Sequence, residues 1–307
     1  MIRIAAMIVM LLLPLCLPSV AQEASPSLIA FSSDGDIWLV NPESLALTRL
    51  TDSENTDLEP SWSPDGSRIV FVSDRGGSPA GIFVMGADGS DPLDTGLQGA
   101  YPTFSLGGRR LAYRSGNSLF IADADGGNPR PFVIAPSLGD FYFTKPSWNP
   151  GGDLLVFQIS ENHLFIMPEA DGPCDLSTGF NPCPSMMALS DGRVDDELPS
   201  WSPDGELIAF TDFREVSVIP PDGTGLSQLT HDDQASGEPS WSPDSQRIAF
   251  TAGTSESRRI FTMKRDGSDI RQITFEGVAR APAWSPRLIG TAVQRATWGG
   301  LKRNLRQ

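Results

Sequence analysis

Short apolar segments separated by polar turns run along the chain from about residue 28 to residue 286. Typical segments are RIVFVS at 68–73, GIFVM at 81–85 and RIAF at 247–250, all rich in β-branched or aromatic residues. Segments of this length and composition are too short for helices and are typical of β-strands. The pattern therefore predicts an all-β protein built from many short strands.

A motif of the form Pro-Ser-Trp-Ser-Pro-Asp-Gly recurs within this pattern. Its six copies are 40 to 53 residues apart, and a period near 40 is the signature of a repeat architecture. The copy that begins at Pro102 is degenerate, because it has Phe104 in place of tryptophan and lacks the Pro-Asp pair. The copies begin at Pro60, Pro102, Pro146, Pro199, Pro239 and Pro282.

Each part of the motif has a physical reason. In Ser63-Pro64-Asp65-Gly66 the proline presets φ for a type I turn, and the glycine takes the left-handed conformation that follows. A second Asp-Gly pair in each unit, such as Asp88-Gly89, is a hairpin signal. We expect the tryptophan before the turn to pack between neighbouring units.

A unit of about four short strands cannot bury its faces alone, so the units must stack. The stretch 27–51 has the later strands of a unit without the proline-tryptophan strand, whereas Ala281–Pro286 has only that strand. Together they complete one blade. The sequence therefore predicts an all-β, six-bladed β-propeller closed by a blade that the two ends of the propeller share.

These motifs resemble the TolB-type propeller, whose repeat combines a Trp-Ser-Pro-Asp-Gly turn with a later Asp-Gly turn and Leu-Thr strand endings such as Leu50-Thr51. The resemblance covers about Leu28 to Pro286. The ordinary WD40-like repeat fits less well, since the chain contains neither a Gly-His nor a Trp-Asp pair. TolB has an α/β domain before its propeller, and we expect that domain to be missing here because few residues precede the first strand.

The N-terminus has the pattern of a signal peptide: Arg3, an apolar run at 4–13, and small residues before Gln22. We expect cleavage after Ala21, which leaves no integral membrane segment and places the protein in the periplasm or outside the cell. The expected domains are a signal peptide at 1–21, the propeller at 22–286 and a basic, disordered tail at 287–307.

Export permits disulfides, and the mature chain would hold two cysteines, Cys174 and Cys183, inside the longest repeat. We expect them to form a disulfide. The alternative is half of a metal site, for which the chain offers no other mature cysteine and only two histidines.

The whole chain has a net charge of −15, but five basic residues and no acid lie beyond Pro286 and Arg3 lies in the predicted signal peptide, so the propeller between them carries −21. Such a surface repels nucleic acid and favours cationic partners or metal ions, although it also serves simply to keep an exported protein soluble.

The loops that lead into the innermost strands vary in length and sequence, and variable loops on a rigid scaffold are where binding usually occurs. Carboxylates and aromatic residues in these loops predict a site at the rim of the central channel for a basic peptide, a partner loop or a divalent cation. The candidate rim residues are Asp57, Glu59, Tyr101, Phe141, Tyr142, Phe143, Lys145, Glu197, Glu238 and Arg280.

Signals for catalysis are weak in this chain. It has no Gly-x-Ser-x-Gly motif and only two histidines, so no nucleophilic triad or histidine-rich metal site is indicated. The sequence favours a non-catalytic propeller of the cell envelope that binds a protein partner without a cofactor. Two alternatives stay open: a metal-dependent hydrolase or lactonase with a carboxylate site in the channel, and a glycan-binding propeller with a groove around Phe141 to Phe143.

Overall fold

The computed structural model describes residues 27–135, 143–159, 163–176, 183–190, 197–231 and 235–286. The predicted signal peptide, the predicted tail, Phe141 and Tyr142 lie outside the described residues. Helical structure within them is slight and includes a three-residue 3-10 helix, Glu169–Asp171. No helix in the described ranges is long and apolar enough to cross a membrane.

The described strands form six antiparallel blades, in one of which a parallel fifth strand is added. The first blade contains β1 (Ile29–Ser33), β2 (Asp36–Val40), β3 (Leu47–Arg49) and, from the other end of the propeller, β25 (Ala279–Trp284). The second contains β4 (Asp57–Trp62), β5 (Arg68–Ser73), β6 (Gly81–Gly86) and β7 (Leu93–Gln98). The third contains β8 (Ala100–Phe104), β9 (Arg110–Ser115), β10 (Ser118–Asp123), β11 (Arg130–Ile134) and the added β15 (Cys174–Asp175).

The other three blades follow the same plan, with short outer strands. The fourth contains β12 (Ser147–Trp148), β13 (Leu154–Ile159), β14 (His163–Pro168) and β16 (Met187–Ala188). The fifth contains β17 (Glu197–Trp201), β18 (Ile208–Asp212), β19 (Glu215–Ile219) and β20 (Ser227–Gln228). The sixth contains β21 (Ser236–Trp241), β22 (Arg247–Ala252), β23 (Arg259–Lys264) and β24 (Arg271–Gln272).

The ring is closed by the shared blade, as the sequence predicts. Strand β25 pairs antiparallel with β1 and also contacts the neighbouring innermost strands β4 and β21. The Ser285 N–H donates to the Leu28 carbonyl at 2.7 Å, and the Leu28 N–H donates to Ser285 Oγ at 2.8 Å. The prediction of an all-β, six-bladed propeller is confirmed.

The Ser-Pro-Asp-Gly turns use one hydrogen-bond pattern. The Gly66 N–H donates to the Ser63 carbonyl at 2.8 Å, while Ser63 Oγ donates to Asp65 Oδ1 at 2.6 Å and accepts the Arg68 N–H at 2.9 Å. The degenerate copy keeps the backbone hydrogen bond that closes the turn, because the Gly108 N–H donates to the carbonyl of Ser105. The hydrogen bond that closes this turn therefore does not require the Pro-Asp pair.

The tryptophans pack between blades. Trp62 lies in a buried cluster with Ile37 and Leu39 of the first blade, and its Nε1–H donates to the Ala283 carbonyl of that blade at 3.1 Å. Six such clusters are found in the described part of the chain, each between two neighbouring blades. The fold is held together by these interfaces rather than by a central core, since the centre is a channel.

The predicted disulfide between Cys174 and Cys183 is present, with the two Cα atoms 5.8 Å apart. Cys174 lies in β15, where it pairs parallel to Val133 of β11. The stapled segment of the fourth repeat therefore adds a strand to the outer edge of the third blade.

Candidate functional site

The residue before the first proline of the repeat motif interrupts the regular pairing of the innermost strand. In β4, β8, β17 and β21 the register shifts at this point, which is the mark of a β-bulge. A left-handed backbone is costly for residues other than glycine. Its recurrence at the same position in five blades therefore indicates a regular feature of this propeller rather than a local irregularity. The left-handed residues are Glu59 (φ 53°), Tyr101 (φ 55°), Leu198 (φ 54°), Glu238 (φ 55°) and Ala281 (φ 50°).

These residues and Lys145, their counterpart in the fourth blade, line one cavity of about 350 Å³ in the central channel. Each blade therefore contributes one residue at the same level of the channel. We call this ring the collar: Glu59, Tyr101, Lys145, Leu198, Glu238 and Ala281. The remaining lining comes from Ser32, Leu58, Pro60, Pro102, Pro239 and Arg280.

The two collar glutamates connect neighbouring blades. Glu59 Oε2 accepts the N–H of Tyr101 at 2.5 Å, and Glu238 Oε2 accepts the N–H of Ala281 at 2.7 Å. In addition, Glu238 Oε1 lies 3.5 Å from the Arg258 guanidinium. Each carboxylate thus satisfies a backbone donor that the bulge of the next blade leaves without a strand partner.

Burial raises the pKa of Glu59, an effect that the nearby charge of Glu238 reinforces and that the hydrogen bond from the Tyr101 N–H partly opposes. Burial also raises the pKa of the Tyr101 hydroxyl to about 12, with a further contribution from the Glu59 carboxylate. Tyr101 therefore stays protonated at neutral pH and offers an O–H donor to the cavity. The Arg114 guanidinium stacks over its ring at 5.2 Å.

Lys145 is the one cation of the collar, and it is half-buried. Burial lowers its pKa, while attraction to Glu238 and Glu59 works in the opposite direction. Its side chain also contributes to a second cavity of about 400 Å³, which the Trp-Ser-Pro segments surround. Lys145 therefore lies where the two cavities of the channel meet.

The structure brings five of the predicted rim residues together in the cavity: Glu59, Tyr101, Lys145, Glu238 and Arg280. Asp57 is placed elsewhere. It is fully buried and forms a bidentate pair with Arg75, whose Nη2 lies 2.8 Å from Oδ1 and 2.7 Å from Oδ2. The Arg75 guanidinium in turn stacks over Phe71 and Phe83 at 5.3 and 5.2 Å. Asp57 is therefore a structural residue.

The other predicted residues do not line the cavity. Glu197 begins β17, and Phe143 is fully buried, with its ring 6.2 Å from that of Phe157. The position of Phe143 gives no support to an aromatic groove on the surface. Phe141 and Tyr142 are not among the described residues.

Sequence reasoning missed Leu58, Leu198 and Ala281, which supply the apolar part of the lining. A signal for two of them was present in the repeat alignment, because Leu198 and Ala281 stand directly before the motif proline, as Glu59 does. Attention to charged and aromatic residues alone passed over these positions.

A metal site is not evident in the parts of the chain that the structure describes. No group of three or more His, Cys, Asp or Glu side chains is close enough there to hold an ion. The two collar carboxylates instead accept backbone N–H groups.

Comparison with known proteins gives a consistent result. The family model described as the TolB beta propeller domain (PD40) matches residues 23–173. The Protein TolB homolog of Chlorobium luteolum is 42% identical over 57 residues, which are 19% of this chain and 13% of that protein. The Tol-Pal system protein TolB of Bordetella pertussis is 47% identical over 45 residues, which are 15% of this chain and 10% of that protein. These matches thus span only a small part of either relative.

The structural likeness extends further. The crystal structure of TolB from Acinetobacter baumannii superposes with a TM-score of 0.68 at 17% identity, covering 85% of this chain and 67% of that one. At this identity the likeness concerns the fold.

The blades, the closing strand and the collar define a six-bladed β-propeller with a small cavity in its channel. With the repeat motif and the match to the TolB beta propeller domain, the particular type follows. The protein is a TolB-like six-bladed β-propeller.

Proposed function

We propose that this protein is an exported, non-catalytic propeller that binds a protein partner in the cell envelope at the collar face. The observation that supports this most directly is the collar. Six blades each place one side chain around one cavity, two of them acidic, one basic, one aromatic and two aliphatic, on a backbone that is left-handed in five of the blades. Costly conformations that recur at one site of a scaffold are typical of ligand-binding positions.

Similarity to TolB proteins supports a location outside the cytoplasm and a partner protein. The predicted signal peptide points the same way, as does the disulfide between Cys174 and Cys183. The carboxylate-rich surface favours cationic contacts around the cavity.

The test is a cross-linked pull-down from the native cell envelope with residues 22–307 as bait. The informative variant is Tyr101→Ala with Arg280→Ala, because neither side chain makes an inter-blade hydrogen bond in the described structure. The control is Arg271→Ala, an exposed arginine in the outer strand β24.

We expect a discrete protein to be captured by the wild type and by the Arg271→Ala control and to be lost with the double variant. Capture that is equal for all three baits, or no capture by any, would contradict the proposal.

A further inference from the structure

The carboxylates of the cavity are already engaged by the protein. Glu59 Oε2 accepts the Tyr101 N–H, while Glu238 accepts the Ala281 N–H and lies close to Arg258. A basic ligand would have to compete with these contacts, although the overall charge of the chain is negative.

The cations of the cavity are not engaged in this way. Neither the Lys145 ammonium nor the Arg280 guanidinium makes a hydrogen bond or salt bridge with another residue in the described part of the chain. The nearest compensation for Lys145 is the field of Glu238 and Glu59, each of which also serves a backbone donor. The charged groups of this cavity that lack a partner among the described residues are therefore cations, beside the neutral O–H donor of Tyr101.

The rest of the lining is apolar. Leu58, Leu198 and Ala281 surround the cavity together with three prolines, and Tyr101 adds a ring with a protonated hydroxyl. A volume of about 350 Å³ is at the small end of ligand pockets, which suits one side chain or one small molecule.

From this arrangement we infer that the cavity binds a carboxylate carried on an apolar body of about leucine size, with Lys145 as its ion-pair partner and the leucines and prolines around the body. The inference deepens the proposed function and rests on it for the biological source of the ligand, because it concerns the same cavity. The carboxylate is either the terminus or side chain of a partner protein or part of a free small molecule.

The energetics of Lys145 support this assignment. Removing an ammonium group from water without a partner costs free energy, which an anion of good geometry returns. Burial lowers the pKa of Lys145 despite the two glutamates, so these do not fully compensate the charge. A bound carboxylate supplies the missing partner inside the cavity that Lys145 lines.

The test uses two matched probes, N-acetyl-leucine and its neutral amide, titrated into the mature protein at pH 7 and followed by NMR shifts of the collar residues. We expect the acid to bind at least tenfold more tightly than the amide. Equal affinities, or no binding by either probe at millimolar concentration, would overturn the inference.

Variants identify the cation. Lys145→Met removes the charge and keeps most of the length, whereas Lys145→Arg keeps the charge. The control Lys264→Met removes an exposed lysine of the outer blade surface. We expect the acid to lose its advantage over the amide in Lys145→Met, and to keep it in Lys145→Arg and Lys264→Met. Unchanged discrimination in Lys145→Met would contradict the assignment.

Further measurements distinguish a peptide carboxylate from a free acid, and they test the inference separately from the proposed function. A leucine-terminated pentapeptide, with a free or amidated C-terminus, tests a peptide carboxylate against the free acid. If the acid probe requires Lys145 while envelope capture ignores Tyr101 and Arg280, the inference stands and the proposed partner function fails. If capture depends on these two residues while no acid discriminates through Lys145, the proposed function stands and the inference fails.

Discussion

Glu59 and Glu238 each combine three properties at one position: a left-handed backbone, a carboxylate that accepts an N–H of the next blade, and a side chain that lines the channel cavity. The collar is therefore fixed by hydrogen bonds across blade interfaces. Changes at these two positions affect folding as well as binding, so they are poor probes of function alone.

Asp57 allows a more specific prediction about stability, because its carboxylate is buried in an ion pair with Arg75. Asp57→Ala would leave the Arg75 guanidinium without its bidentate partner, and loss of one member of a buried ion pair costs about 3 kcal/mol. We expect a lower free energy of unfolding in urea. The control is Asp74→Ala, whose carboxylate accepts only an exposed Thr56 N–H, and a loss as large as that for Asp57→Ala would argue against the pair.

Replacing Lys145 is expected to change the free energy of unfolding in the opposite direction, towards a more stable protein. Because the folded state lowers its pKa, the charged lysine opposes folding below that pKa, and the penalty fades as pH rises toward the unfolded value of 10.5. We therefore expect Lys145→Met to raise the free energy of unfolding by about 1 kcal/mol where the lysine is charged.

The stability difference between Lys145→Met and the wild type should shrink in urea titrations as pH rises through the lowered pKa toward 10.5. Lys264→Met, an exposed change, should have little effect at any pH. A Lys145→Met protein less stable than the wild type at pH 7 would contradict the view that Lys145 lacks compensation.

At the residue scale, the sequence was a better guide to which side chains lie at the channel than to the contacts that each of them makes. It placed Glu59, Tyr101 and Lys145 at the channel, because they end loops that lead into the innermost strands. It could not predict that Asp57 pairs with Arg75, since the two are 18 positions apart and meet only when β4 and β5 align. Nor could it predict that the collar glutamates accept N–H groups about 42 positions away.

At the scale of single elements, the geometry of the second Asp-Gly turn in a blade explains why glycine occupies its last position. These glycines have positive φ and approach the outer part of the preceding blade. A Cβ on Gly89 would lie 2.6 Å from the Leu50 carbonyl oxygen, and one on Gly126 would lie 1.9 Å from that of Thr95. The turn is thus also a packing contact between blades.

Gly126→Ala and Gly35→Ala separate backbone strain from packing. Their φ values are similar, +91° and +88°, but a Cβ on Gly35 would meet nothing within 4 Å. We expect Gly35→Ala to cost about 1 to 2 kcal/mol for the left-handed backbone. Gly126→Ala should cost about 1 to 3 kcal/mol more for the close contact. Equal losses in chemical denaturation would show that the inter-blade contact is unimportant.

The elements were the most predictable part of the molecule. Period, turn chemistry and strand composition all agree in copies such as Ser63 to Gly66, and the degenerate copy at Ser105 keeps the two atoms that the turn needs. Strand β15 was not predictable, because its two residues carry no strand pattern and pair with β11 of another repeat.

At the scale of the whole molecule, closure depends on β25. This strand completes the first blade, and its Ala283 carbonyl accepts the Trp62 indole N–H of the second blade. A chain that ends at residue 278 would leave β1 without its inner neighbour and Trp62 without an acceptor.

We therefore expect the chain ending at 278 to lose cooperative thermal unfolding, whereas a chain ending at Pro286 keeps every described strand and should unfold cooperatively. Cooperative melting of the shorter chain at the same temperature would contradict closure through β25.

The central claim is that a partner protein binds at the collar face. The most direct measurement is photo-cross-linking in intact cells with a benzoylphenylalanine at Leu58, which lines the cavity, and a control at Leu93, an exposed residue of the outer strand β7. The account predicts a discrete cross-linked protein from Leu58 and none of the same mass from Leu93. The same product from both positions, or none from Leu58, would contradict it.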